Sequence, residues 1–183
     1  METDVAAQPR TAKGEATTTE PTRTEQAVAR RLAESAATIP TATVEALAPV
    51  PRDGDAPLRY AILRAFAQAL AEHPRANGAW RDARFERWSR VNVALVVPTA
   101  DGLLAPTLFD ADRKDVAQLA QEGAELEAGA QAGTLTSPQF SGATASLWTV
   151  AGADRAAAPV TPGQAVALTV GDSRGGDRVW LTL

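Results

Sequence analysis

The stretch VNVALVVPTADGLLAPTLFDADRKDVAQLAQEGAEL, residues 91–126, decides the fold. Its first seven residues are almost all apolar, which predicts a central strand that is buried on both faces of a sheet. A turn over residues 99–102 follows, and LLAPTLF then predicts a second strand. Pro106 inside that strand predicts a sheet edge or a bulge, because proline cannot donate a hydrogen bond to a neighbouring strand.

The same stretch ends in the clearest helical pattern of the chain. Apolar or small residues recur at helical spacing along one face: Val116, Leu119, Ala120, Gly123, Leu126 and Ala130. Asp112 is predicted to be the N-cap of this helix, and Gly133 stands where a C-terminal cap is expected.

Further helices and strands are predicted on both sides of this stretch. Thr22 and Glu25 have the spacing of a capping box, which predicts a first helix over residues 25–36. Apolar spacing predicts a second helix over residues 58–72. The runs ATASLWTV, AVALTV and RVWLTL predict three strands after the third helix. Together these elements predict a mixed α/β domain with a mixed or largely antiparallel sheet.

Length and composition indicate one domain behind a polar tail. The chain has 183 residues, enough for a single domain with its own core. Residues 1–23 nearly lack large apolar side chains, so we expect a disordered tail there and one domain over residues 24–183. The net charge of −4 argues against a nucleic-acid partner, and no apolar run is long enough for a membrane span. Neither cysteine nor a signal peptide is visible, so we expect a cytoplasmic location.

His73 is the one histidine of the chain, and it ends the second predicted helix. An imidazole can act as a general base near neutral pH, but no nucleophile or orienting carboxylate surrounds it at a recognisable spacing. The sequence favours a histidine that interacts with the helix dipole. Asp110, Asp112 and Asp115 lack the glycine and the closing glutamate of an EF-hand, so no metal site is predicted.

Arginines interleave with aromatic residues before the deciding stretch: Arg75, Trp80, Arg81, Arg84, Phe85, Arg87, Trp88 and Arg90. Such a pattern can bind nucleic acid, or an acidic cofactor such as the phosphates of coenzyme A. Because Asp82 and Glu86 dilute the charge, the sequence favours the solvated face of a two-stranded hairpin. The glycine-rich run GDSRGGD, residues 171–177, lacks the ending of a phosphate-binding loop and is predicted to be a hairpin turn.

Five segments, taken in order, resemble one family. AVARRLAES and TIPTAT are similar to the family's opening helix and first strand, and LRAFAQALAEHPRANGAW is similar to its second helix. The stretch 91–126 is the strongest match, and GTLTSPQFSGATASLWTV and TPGQAVALTVG follow in the expected order. Over residues 25–183 the chain resembles the acyltransferase catalytic domain of 2-oxo-acid dehydrogenase complexes. The resemblance implies an α/β (α+β) fold of the chloramphenicol acetyltransferase type, which is a two-layer sandwich with a mixed sheet.

This resemblance implies a substrate and an assembly. The family transfers an acyl group between coenzyme A and a thiol such as dihydrolipoamide, so a coenzyme A thioester is the expected substrate and no metal is expected. The family also forms trimers with each active site at a subunit interface. Arg30 and Arg31 are candidates for binding coenzyme A. No lipoyl domain precedes residue 25, so we expect no lipoyl group on this chain; the acceptor is expected to be a small molecule or a lipoyl group elsewhere.

The family's catalytic residues are only partly matched. Its general base is a histidine followed three residues later by Asp-Gly, just after the position of RVWLTL. Because the chain ends at Leu183, we expect the C-terminal part that carries this base to be missing, and a complete version of the chain or a separate partner chain to supply it. The resemblance places Trp148 at the family's oxyanion-stabilising Ser or Thr, with Ser146 and Thr149 nearby. We therefore expect an acyltransferase that is impaired as the chain stands, or else a catalytically dead binding or assembly subunit of a trimeric acyltransferase.

Overall fold

The computed structural model of the chain describes residues 14–50, 57–172 and 176–183. Residues 1–13 of the predicted polar tail therefore lie outside the described residues. From residue 15 to residue 22 the chain forms neither helix nor strand. The predicted turn of residues 171–177 lies outside the described residues at positions 173–175.

Three α-helices form where the apolar spacing predicts them, namely α1 (Arg23–Thr38), α2 (Leu58–Glu72) and α3 (Val116–Ala132). The capping box predicted for α1 is present. The Thr22 hydroxyl accepts a hydrogen bond from the Glu25 backbone N–H, and the Glu25 carboxylate accepts one from the Thr22 N–H.

The start of α3 differs from the prediction. Asp115 is the N-cap, in a capping box with Gln118, and the prediction of Asp112 is wrong. Asp110 adopts a left-handed backbone with φ 48°, and a 3-10 turn over Ala111–Arg113 follows it. The α-helical hydrogen bonds therefore begin only after this turn. Gly133 caps the other end with φ 66°, as predicted.

Within the described part of the chain, ten strands form three sheets. The strands are β1 (Glu45–Pro49), β2 (Gly78–Arg81), β3 (Arg84–Arg87), β4 (Val93–Leu95), β5 (Val97–Thr99), β6 (Gly102–Leu104), β7 (Thr107–Leu108), β8 (Ala145–Thr149), β9 (Ala167–Val170) and β10 (Arg178–Thr182). The main sheet has the order β1-β10-β9-β8-β4-β7, and β2–β3 and β5–β6 are separate hairpins. β8 runs parallel to β4 and to β9, and the other pairs of this sheet are antiparallel, so the predicted mixed sheet is confirmed.

Each of the two strands predicted in the deciding stretch is divided between two sheets. The first gives β4 inside the main sheet and β5 in a hairpin; the second gives β6 in that hairpin and β7 at the edge of the main sheet. The second division falls at Pro106, which has no N–H but whose carbonyl accepts from Leu95 N at 2.8 Å. The prediction that Pro106 lies at a sheet edge is therefore confirmed, because β7 is the last strand of the main sheet. The prediction of two continuous strands in this stretch is wrong.

The segment RANGAW, residues 75–80, is a turn only in its first half. Gly78 already belongs to β2 and pairs with Arg87 of β3. A Cβ at position 78 would lie 2.1 Å from the Glu86 carbonyl oxygen, so the close approach of the two strands requires glycine there. The hairpin itself turns at Asp82 and Ala83, which both have positive φ.

The main sheet has two different faces, because side chains alternate along each strand. One face carries large aliphatic side chains and packs with α2 and α3 into the core, and these include Val93, Leu95, Leu108, Leu147, Leu168, Val170 and Val179. Small or polar side chains share the opposite face, as the strand register shows: Ala94, Thr107, Ser146, Trp148, Ala167 and Thr169. This second face is the floor of the site described below.

Candidate functional site

A cavity of about 580 Å³ lies over the small and polar face of the main sheet. α1 forms one wall, and the loops that carry Gly142 and Pro162 form others. β4 and β8 contribute the floor through Ala94, Ser146 and Trp148. The remaining lining includes several apolar side chains: Ala27, Val28, Leu32, Val96, Leu103, Leu104 and Phe140. This site cavity has the size and the mainly apolar lining of a pocket for an organic ligand.

Two unpaired polar groups of β8 face the site cavity. Ser146 is 2% exposed, and neither its Oγ nor Nε1 of Trp148 has a hydrogen-bond partner among the described residues. The two side chains lie on one face because they are two residues apart in a strand. Thr149 has the opposite orientation, is exposed and does not line the cavity. Of the three candidates predicted for the oxyanion, the structure thus brings together Ser146 and Trp148 only.

Gln164 is the third described residue of the site cavity with a buried polar atom that lacks a partner, and it was not predicted from the sequence. It is 7% exposed, and its Oε1 is buried without a hydrogen-bond partner in the described part of the chain. A single glutamine ahead of a strand belongs to no motif, so no local signal marks it. Only the tertiary arrangement places it opposite β8.

Asn92, just before β4, holds one wall of the site cavity in place. Its Nδ2 donates to the Gly142 carbonyl at 2.8 Å, and its Oδ1 accepts from the Asp110 backbone N–H at 2.9 Å. Its backbone N–H donates to the Thr144 hydroxyl at 3.1 Å. Asn92 is 6% exposed, so these bonds form out of contact with solvent. They tie the loop that leads into β8 to the strand that forms the floor.

The two arginines proposed for coenzyme A occupy different positions on α1. Arg31 lines the site cavity, whereas Arg30 is exposed and does not. Arg23, at the first turn of α1, also lines it and was not predicted. The C-terminal half of α1 is attached to the domain by the buried hydroxyl of Ser35, which donates to the Val160 carbonyl at 2.8 Å.

His73 lies away from the site cavity. It is the C-cap of α2, and it lines a second cavity of about 660 Å³ between α2 and the end of the main sheet that contains β1. The other described residues that line this apolar groove are almost all aliphatic, and none of them is a nucleophile or a carboxylate. This arrangement agrees with the helix-terminal role that the sequence favours.

The arginines around the β2–β3 hairpin are largely engaged with protein groups. Arg90 makes two hydrogen bonds to the Asp110 carboxylate, at 2.7 and 2.6 Å, and these bonds lower the pKa of Asp110 below its ordinary value. Arg81 lies 3.7 Å from Glu86, and Arg75 stacks over the ring of Phe85. Two of these arginines, Arg81 and Arg90, therefore lie beside a carboxylate that offsets their charge.

Within residues 14–50, 57–172 and 176–183, His, Asp and Glu side chains form no group of three that could hold a metal ion. None of the helices in those ranges has both the length and the apolarity that a membrane crossing requires.

Comparison with known proteins gives a consistent result. The family model described as 2-oxoacid dehydrogenases acyltransferase (catalytic domain) matches residues 56–179. Component 4 of the chloroplastic pyruvate dehydrogenase complex of Arabidopsis thaliana, a dihydrolipoyllysine-residue acetyltransferase, is 34% identical over 116 residues, covering 62% of this chain and 24% of the relative. The corresponding component of Rickettsia bellii is 32% identical over 114 residues, covering 61% and 27%. The chain spans about a quarter of the length of these curated relatives.

Solved structures with the same fold are also known. Azotobacter vinelandii dihydrolipoamide acetyltransferase superposes with a TM-score of 0.84 at 24% identity, over 93% of this chain and 82% of that one. A probable dihydrolipoamide acetyltransferase of Listeria monocytogenes gives a TM-score of 0.82 at 20% identity, over 91% and 83%. At these identities the similarity establishes the fold, and the predicted α/β architecture is confirmed.

Proposed function

Because the chain belongs to the 2-oxoacid dehydrogenase acyltransferase (catalytic domain) family, we propose that its site cavity transfers an acyl group between coenzyme A and a thiol or hydroxyl acceptor. The observation that carries this proposal is the pair of unpaired groups, Ser146 Oγ and Trp148 Nε1, in one largely apolar cavity. A buried donor without a partner costs about 1–3 kcal/mol. Such donors suit a ligand oxygen that becomes negatively charged during the reaction.

In the proposed reaction the acceptor sulfur or oxygen attacks the carbonyl carbon of the thioester. The carbonyl oxygen becomes an oxyanion, to which Ser146 and Trp148 donate hydrogen bonds. The tetrahedral intermediate then collapses, breaks the carbon–sulfur bond and releases the coenzyme A thiolate. A general base takes the proton of the acceptor, and the same proton returns to the thiolate. Since His73 lines the other cavity, we propose that a histidine of a partner chain is this base.

A direct transfer assay tests this function. The purified chain is incubated with acetyl-coenzyme A and dihydrolipoamide or a small alcohol, and free coenzyme A and acetylated acceptor are quantified by mass spectrometry. Ser146→Ala is expected to lower kcat about 100-fold, because one donor to the oxyanion is lost. The matched control is Thr149→Ala on the same strand, which is expected to stay within about twofold.

The assay also separates the alternatives. Absence of both transfer and coenzyme A binding contradicts the proposed function. Binding without turnover, with or without a histidine-bearing partner chain, indicates instead a catalytically dead binding or assembly subunit. The proposed assembly is a homotrimer, or a trimer that includes the histidine-bearing partner chain, with the site cavity at the subunit interface. A sedimentation mass of three chains is its expected signature.

A further inference from the structure

Gln164 is held firmly in place at the site cavity. A tight turn over Thr161, Pro162 and Gly163 precedes it, with Gly163 at φ 91° and the Gln164 N–H donating to the Thr161 carbonyl at 3.0 Å. The indole N–H of Trp88 donates to the Gly163 carbonyl at 3.4 Å and ties this turn to the domain. The backbone of Gln164 is therefore fixed at the edge of the site cavity, and its side chain is 7% exposed.

The unpaired atom of Gln164 has the opposite hydrogen-bonding character to the groups on β8. Its Oε1 accepts hydrogen bonds only, whereas the indole N–H of Trp148 donates only. An acceptor oxygen would repel the oxyanion of the proposed reaction, so Oε1 of Gln164 has no part in stabilising it. Its partner must carry an N–H or O–H that reaches into a largely apolar cavity of about 580 Å³.

We propose that Gln164 is a specificity residue that accepts a hydrogen bond from an amide N–H in the thiol-bearing arm of a substrate. This inference rests on the proposed acyl transfer. A slender arm that has apolar segments and a secondary amide matches the apolar part of the lining and the buried acceptor oxygen of Gln164. Two substrates carry such an arm, namely the pantetheine part of coenzyme A and an amide-linked dihydrolipoyl group. The shared chemistry is the amide, and the experiment distinguishes the two sources.

The test replaces the amide of the substrate by an ester, which removes the N–H donor and keeps the carbonyl group and nearly the same size. S-acetyl-N-acetylcysteamine is compared with its analogue in which the amide nitrogen is replaced by oxygen. The unsubstituted protein is expected to favour the amide about tenfold in kcat/KM, as for a buried hydrogen bond that one substrate cannot make. Gln164→Met is expected to reduce this ratio to about one, and Gln164→Glu, which keeps an acceptor oxygen, to preserve a preference for the amide.

A second arm of the experiment keeps acetyl-coenzyme A constant and compares dihydrolipoamide, N-methylated on its amide, with methyl dihydrolipoate. If substitution of Gln164 changes the amide-to-ester ratio of kcat/KM only in this second arm, Gln164 binds the amide of the acceptor. If it changes the ratio only in the first arm, Gln164 binds the amide of the acyl donor. Gln121→Met, on the exposed side of α3, is the matched control and is expected to leave both ratios unchanged. Thermal unfolding of each variant checks the fold.

The possible outcomes separate this inference from the function on which it rests. Acyl transfer with no preference for the amide in either arm overturns the role of Gln164 and leaves the proposed function intact. If the chain binds the thioesters without turnover, the ratio of dissociation constants replaces the ratio of rates, with the same expected tenfold difference. If it neither binds nor converts them, both proposals are wrong.

Discussion

At the scale of single residues, a buried tyrosine of α2 packs closely against α3. Tyr60 is 1% exposed, and its hydroxyl donates to Glu127 of α3 at 3.3 Å. Arg59 binds the same carboxylate at 2.6 Å. Burial of the phenol is the main cause that raises the pKa of Tyr60 above its ordinary value. Gly123 leaves room for this ring, since a Cβ there would lie 2.3 Å from Tyr60 Cε1.

Gly123→Ala is therefore expected to destabilise the protein. The added methyl group collides with a buried ring that cannot move without separating the helices, and we expect a net loss of about 1–2 kcal/mol in the free energy of unfolding, even after the gain in helix propensity. Urea denaturation measures this loss. Gly129→Ala is the control in the same helix, because its nearest neighbour is the mobile tip of Leu135. An equal loss in both variants would contradict the assigned contact.

The pair of Arg90 and Asp110 makes stability depend on pH. Hydrogen bonds from Arg90 lower the pKa of Asp110 below its ordinary value of 3.8. The ionised carboxylate therefore stabilises the fold above that value, and the contribution disappears as the pH falls through the lowered pKa. Asp110→Asn, which tolerates the left-handed backbone, is expected to be less stable than the unsubstituted protein at pH 6 and closer to it at pH 3. Urea midpoints at the two pH values test this; a difference that grows toward pH 3 rejects the pairing.

Ser146 and Trp148 can be predicted from the sequence as site residues, whereas Gln164 cannot, because its position depends on contacts between distant parts of the chain. Ser146 and Trp148 lie in a strand whose alternation is visible in the sequence, so their shared face follows once the strand is placed. Gln164 depends on a turn and on Trp88, which is 76 positions earlier in the chain, and no local pattern contains that information. The burial of its side chain is a property of the assembled domain.

At the scale of elements, the helices are specified locally and the strands are not. The spacing of apolar residues suffices to place α2 and α3, because helical hydrogen bonds join residues four apart. The strands of the deciding stretch are divided among different sheets according to which partner strand they meet, as at Pro106. The start of α3 does not follow this local rule. A 3-10 turn precedes the helix, so the N-cap is Asp115 and not Asp112.

Substitution of the two aspartates tests this assignment of the cap. Asp115→Ala removes the side chain that accepts from Gln118 N at 2.8 Å, and the free energy of unfolding is expected to fall by about 1 kcal/mol. Asp112→Ala is the matched control and is expected to have less than half this effect. Chemical denaturation followed by circular dichroism reports both. A larger loss of stability in Asp112→Ala than in Asp115→Ala would contradict the assignment of Asp115 as the N-cap.

At the scale of the whole molecule, the two layers leave one end of the sheet uncovered. The apolar groove beside β1 is bounded on one side by α2, where Ala65, Ala69 and His73 follow one another at helical spacing. Val44 at its edge is 66% exposed. An apolar groove of about 660 Å³ that is open to solvent is expected to take up hydrophobic probes in the folded state.

Dye binding measures this exposure. The folded protein is expected to enhance the fluorescence of an anilinonaphthalene sulfonate dye with saturable binding. Ala69→Glu, which places a charge in the groove, is expected to reduce the enhancement several-fold, because a carboxylate is costly to bury beside aliphatic side chains. Gln68→Glu adds the same charge to the neighbouring exposed position outside the groove lining, and serves as control. An equal reduction of the fluorescence enhancement in Ala69→Glu and Gln68→Glu would show that the dye does not bind in the apolar groove.

The alternation along β8 also limits how the length of the chain can change. Leu147 packs in the core while its neighbours Ser146 and Trp148 line the site cavity. Deleting one residue from this strand would turn an indole toward the core and a leucine toward the ligand, and so damage both layers at once. Extra residues between β8 and β9 leave that pattern intact. Related chains that keep the activity are therefore expected to vary in length in the loop after β8 and to keep the number of residues within the strand.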